Sequence, residues 1–306
     1  MSNGASRNDV PRAEEHNAPS NPKGIFKQPS TTVSTVAYLE VWNTKKLYAR
    51  IASDAVSAAS AAALIAPLIT IFDRGIIENA SGRSPLMSSI KTSFRALLAR
   101  PHTFLASRPF RLISMVYFST YLTANSIDTI SSTLTPSAIT HTTSGTPKFL
   151  AASTVNMSLC LYKDSQFAQM FRAPGNAAAV LTRSVPKASF ALFGLRDSMT
   201  VFASFNLPPL VAPMVSEEVE KVVSRASLTQ ILTPAAMQLF TTPLHLWGLD
   251  LYNRPGASLA ERLRQVGRNW AGSTLARMGR IIPAFGFGGV INAKVRRRLM
   301  EKLEEE

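Results

Sequence analysis

The sequence predicts an all-α protein, a six-helix transmembrane bundle with a disordered N-terminal arm. Three observations predict it. Lysine and arginine fall in blocks: seven in 74–111, four in 163–187 and six in 254–280, with none in 112–147 and only Lys221 in 198–224. Basic loops resist translocation and collect on one membrane face, so a chain threading a bilayer alternates in this way. Charged residues make up only 17% of the chain and hydrophobic ones 46%, below the roughly 25% charge of soluble domains. Finally, six segments are long and uncharged enough to be helices. A mean hydropathy of only +0.08 then implies semi-polar helices of the kind that line a water-filled cavity.

The elements follow in order. Residues 1–44 form the arm, because 1–36 are rich in Ser, Asn, Pro and Thr without apolar periodicity. This arm carries four basic and four acidic residues, so the net charge of +14 resides in 45–306. No signal peptide is expected, since the first apolar stretch begins past residue 30, and Asp9, Glu14 and Glu15 spoil a transit peptide. The six segments are 46–73, 109–133, 147–171, 184–206, 225–252 and 271–298, and 301–306 is a charged tail. The first and fifth reach the roughly 20 residues needed to cross a bilayer, and the second comes close. Pro67, Pro186, Pro243 and Pro283 interrupt the pattern; membrane helices tolerate this where neighbours satisfy the freed carbonyl.

The segments pair into three hairpins, about 45–135, 145–210 and 224–300. Each odd segment ends in an aspartate (Asp73, Asp164, Asp250), a basic connector follows, and each even segment opens with an arginine (Arg111, Arg183, Arg280). With these features the chain resembles the mitochondrial carrier family, most closely over Thr242–Arg298, where Pro243, Asp250, the basic connector, Arg277, Arg280 and a Gly-rich last helix follow the order of a third carrier repeat. It is also similar to a group of fungal mitochondrial proteins. The resemblance implies six tilted helices around a central cavity, a place in the mitochondrial inner membrane, and basic loops toward the matrix. It departs from the carrier pattern where Pro67 and Pro243 are followed by Ile69 and His245 instead of an acid. Lys45, Lys46, Arg50, Lys294, Arg296, Arg297 and Arg298 also put positive charge at the end that this topology keeps away from the matrix.

Candidate sites lie inside the segments. Arg196-Asp197, about ten residues into the fourth, would cost on the order of 3 kcal/mol per charge at membrane depth, so the pair should face a cavity or a partner. It resembles the substrate pair of amino-acid carriers; the other reading is an ion pair locking two helices. Tyr121, Asn125 and Asp128 share one helix face, either lining that cavity or bonding between helices. His245 is a titratable cavity candidate or a packed core histidine. Gly286-Phe287-Gly288-Gly289 has no βαβ context and reads as close helix packing.

No Walker, GxSxG, HExxH or Cys/His pattern appears, so neither an enzyme, a metal site nor a cofactor is expected. Cys160 stands alone, which rules out an intramolecular disulfide. Aromatic residues in the first basic block are sparse (Phe94, Phe104, Phe110), so nucleic acid is not the expected partner. Membrane lipids, cardiolipin especially, suit basic pockets at helix ends better. The sequence thus points to a monomer exchanging a small anionic or zwitterionic solute, with a non-transporting assembly factor of the same membrane as the alternative.

Overall fold

The computed structural model describes residues 42–135, 137–143, 145–172, 184–221 and 224–305. These are mostly helical, without a strand among them. The expected arm lies outside the described residues up to position 41, and so does Arg183.

Eight principal helices are labelled α1 Leu47–Ala80, α2 Leu86–Ala99, α3 Arg108–Leu134, α4 Thr146–Met170, α5 Lys187–Phe205, α6 Arg225–Asn253, α7 Leu259–Gly279 and α8 Gly289–Glu305. A π-helical segment, Ile282–Gly288, leads into α8. Local chemistry sets several boundaries. Gly82, at φ 77°, ends α1 in the left-handed region that glycine adopts without strain. Ser107 caps α3 by accepting from the Phe110 N–H. Ser258 and Glu261 form a reciprocal capping box that starts α7. Pro283 lacks the N–H that would donate to Gly279, so a continuous helix from α7 into α8 is broken here. The expected sixth segment at 271–298 is corrected accordingly: 271–279 belongs to the basic connector helix α7, and the chain turns at Arg280.

α1 packs on α3, α3 on α4, α4 on α5 and α5 on α6, while α8 and the π segment return to α1. α2 and α7 lie outside this circuit, against the C-terminal end of α1. There Asn79 reaches Asn269 at 3.1 Å and accepts from the Leu86 N–H. The α1 face turned inward is small and apolar (Ala58, Ala61, Ala62, Ile65, Ala66, Ile69), spaced at helical period so that neighbouring backbones approach closely.

Polarity is inverted relative to a water-soluble bundle. Large apolar side chains stand exposed on every helix of the circuit, among them Leu64, Ile130, Leu150, Phe202, Phe240 and Phe287. Charged ones are inside: Arg50, Asp54, Asp73, Asp128, Lys163, Asp164, Arg196 and Arg296 are all buried. Helix hydroxyls also satisfy themselves on carbonyls four residues back, as with Ser57 on Ser53, Thr70 on Ala66 and Thr120 on Val116; this arrangement serves where water is absent. By length and composition only α1 among the described residues qualifies as a membrane span. Among the other circuit helices α3 to α6 bury Asp128, Asp164, Arg196 and His245, which lowers their average, whereas the end of α8 exposes Lys294, Arg297, Arg298 and Lys302.

Candidate functional site: a cavity between two buried ion-pair layers

The charges inside the bundle form two layers at opposite ends of α1. Asp54 and Asp73 are nineteen residues apart, about 28 Å along a helix.

The first layer, near Asp73, ties five segments together. Lys163 Nζ of α4 lies 2.7 Å from Asp73 and 2.6 Å from its own neighbour Asp164. Arg280, at the α7–π corner, also pairs with Asp73. Arg196 of α5 lies 2.6 Å from Asp164 and 2.6 Å from Asp197, and its Nη1 sits 2.7 Å from His245 Nδ1 of α6. A guanidinium has no acceptor, so Nδ1 accepts and the His245 proton sits on Nε2. Arg277 of α7 is buried beside this layer and donates to Gln238 Oε1 at 3.0 Å. His245 therefore occupies, on α6, the place in the layer that acids fill on α1 and α4.

The second layer lies near Asp54. Arg296 of α8 meets Asp54 at 2.7 Å and Thr129 Oγ1 at 3.2 Å, while Thr129 donates to the other Asp54 oxygen at 2.6 Å. Asp128 pairs with Lys148 of α4 at 2.8 Å and accepts from the Thr143 N–H. Arg50 donates to Asn43 O, Thr129 O and Ser132 Oγ. Asn125 and Asn292 exchange hydrogen bonds at 2.9 and 2.8 Å. This layer joins α1, α3, α4 and α8. It also accounts for two of the seven basic residues at that end of the chain, since Arg50 and Arg296 are buried in it.

Between the layers is a cavity of 260 Å³. Its charged floor is Asp73, Lys163, Asp197 and Arg280; its walls include Tyr117, Thr120, Tyr121, Ser153, Asn156, Cys160, Thr200 and Ser204. Asp197 Oδ1 is held by Arg196, whereas the buried Oδ2 has no hydrogen-bond partner.

The sequence candidates divide cleanly. Asp197, Asp73, Arg280 and Tyr121 line the cavity; the Tyr121 hydroxyl donates to Ala284 O at 3.0 Å. Arg196, Asp164 and His245 lie beneath it in the first layer, and Asn125 and Asp128 belong to the second. Asp250 instead pairs with Arg254 and Arg262 at the α6–α7 corner, and Arg111 is exposed at the start of α3. Sequence reasoning missed Asp54, Arg296 and Lys148, and the neutral residues Asn156, Thr120 and Ser153. The i,i+4 pair Arg50 and Asp54 at the head of an eighteen-residue uncharged run was the available signal for the second layer.

A family model described as probable citrulline exporter matches residues 57–300. The chain belongs to this family. No match to the mitochondrial carrier family accompanies it, and no curated protein or solved structure matches. The matched span of the exporter family takes in the whole cavity and all but Arg50 and Asp54 of the two layers' charged residues. An exporter family implies transport of a small solute across a membrane, which fits the inverted polarity of the bundle.

The π segment is packed tightly at Gly288. A Cβ there would meet the Tyr121 hydroxyl and lie 2.9 Å from Ile65 Cδ1. Gly288→Val is expected to cost about 1–3 kcal/mol by overpacking, seen as a lower melting temperature of the purified protein. Gly289→Val, where a Cβ meets nothing within 4 Å, should cost less.

Proposed function

We propose that this chain is a multi-pass membrane transporter that exports a small zwitterionic amino acid of the citrulline class through the cavity between the two layers. The observation that carries this reading is the cavity floor, where two carboxylates and two cations face one space and Asp197 Oδ2 is left without a partner. A zwitterion offers the complement: its ammonium to Asp197, its carboxylate to Arg280 and Lys163. The volume of 260 Å³, just below the roughly 300–1,000 Å³ of ligand pockets, suits a single amino acid. The family's description supports the same substrate class.

In this reading each layer is a gate, and transport opens them in turn. Arg196, Asp164 and His245 close the first, and Arg296, Asp54 and Asp128 the second. The six circuit helices then span the bilayer as the three carrier-like hairpins of a monomer in the mitochondrial inner membrane. Connector helices α2 and α7 expose Arg95 and Arg264 beside Phe94, Leu98 and Leu263, a composition suited to anionic lipid such as cardiolipin.

Proteoliposomes loaded with citrulline test the proposal. Radiolabelled citrulline is expected to exchange into them, and Asp197→Asn should reduce the rate at least tenfold while leaving the melting temperature within a few degrees. Absence of exchange by the folded wild type would favour the assembly-factor alternative.

A further inference from the structure

The charges that line the cavity cancel and sit at one end. Asp73 and Asp197 face Lys163 and Arg280 at the floor, and the wall toward the second layer carries amide and hydroxyl groups but no carboxylate among the described residues. Asn156 is central to that wall. Its Nδ2 donates to Thr120 Oγ1 at 3.1 Å, and its Oδ1 receives only the weak Cys160 thiol at 3.8 Å. Asn156 thus keeps one N–H and most of its acceptor capacity for a ligand.

Spacing fits an extended amino acid. Asn156 and Lys163 are seven residues apart on one face of α4, about 10 Å along the helix. Asp197 and Ser204 repeat this spacing on α5, and both also line the cavity. From carboxyl carbon to ureido carbon, citrulline has six bonds, about 7.5 Å when extended, shorter than the rise between these two levels, which leaves room for contacts at both ends.

We infer that the cavity selects α-amino acids whose side chains end in an uncharged carboxamide or ureido group, rejects those ending in ammonium or guanidinium, and makes this choice through Asn156. The inference rests on the reading of this cavity as the transport site. A ureido or carboxamide end presents both a carbonyl acceptor and N–H donors, matching an asparagine that offers both. An ammonium or guanidinium presents donors only. It would also bring a net charge to a wall with no carboxylate to meet it, where an unpaired ion is costly.

The test compares uptake of citrulline, glutamine, ornithine and arginine into citrulline-loaded proteoliposomes, for the full-length wild type and for Asn156→Asp. Wild type is expected to take up citrulline and glutamine at least tenfold faster than ornithine or arginine. Asn156→Asp should raise the ratio of ornithine or arginine to citrulline at least tenfold, because it places a carboxylate where the side-chain cation would end. Wild-type uptake of ornithine or arginine as fast as citrulline would overturn the inference while leaving the transport site in place. No uptake of any of the four would overturn the transport reading itself. A folded Asn156→Asp protein with unchanged ratios would overturn the assignment to Asn156. If that variant does not fold, the wild-type ratios alone decide the selectivity.

Discussion

Asp164→Ala is expected to lower the melting temperature of the detergent-purified protein by about 10 °C. Asp164 is fully buried and meets two cations, Lys163 and Arg196, each at 2.6 Å. Removing one partner of a buried pair costs about 3–5 kcal/mol, because the remaining charge is uncompensated. At about 2–4 °C per kcal/mol for a chain of this size order, that becomes roughly 10 °C. Asp73 and Asp197 still hold part of the released charge, which keeps the loss from being larger. The double variant Asp164→Leu with Arg196→Met should recover most of the stability, since apolar replacement of a whole buried pair is often neutral or better. A drop in the single variant without recovery in the double would mean that the layer stabilises by packing more than by charge balance.

Arg296→Ala is expected to produce a loss of similar size at the other end. Arg296 is the cation at Asp54, and both are buried. Without it Asp54 keeps only the Thr129 hydroxyl on its side chain. Arg296→Lys preserves the charge but not the fork that reaches Asp54 and Thr129 together, so an intermediate loss is expected. In the proposed gating, Arg296→Ala should also speed thiol labelling of Cys160. Thermal melting and labelling rate together separate a gate from a purely structural brace: a brace lowers the first and leaves the second unchanged.

The helical plan was legible because its signals are local. The gaps between basic blocks fall on helices of the circuit, and the first and third blocks fall largely on α2 and α7 with their flanks, as charge alternation implies. Asp73 and Asp164 could be paired in advance since both close an apolar run. Asp250 looked equivalent but lies five residues past His245, more than one helical turn, and so faces Arg254 and Arg262 at the corner. The boundary of the sixth helix was hidden because Ala271–Gly279 is rich in small residues; the capping box at Ser258 and the missing N–H of Pro283 decide it. The second layer was legible only in Asn125 and Asp128 and in the Arg50, Asp54 spacing, and its closure was not. It depends on α8 returning to α1, which sets Arg296 against Asp54 across 242 positions, and no local pattern records that closure. The neutral wall of the cavity was missed for the same reason, since Asn156, Thr120 and Thr200 come from three helices and only packing brings them together.

The sole cysteine of the chain lines the cavity, so labelling it tests the central claim most directly. In proteoliposomes, a small membrane-permeant thiol reagent is expected to block citrulline exchange, excess citrulline to slow the reaction, and Cys160→Ser to exchange citrulline while resisting the reagent. Exchange that continues at the unlabelled rate with Cys160 fully modified would contradict the account, because the substrate would then pass elsewhere.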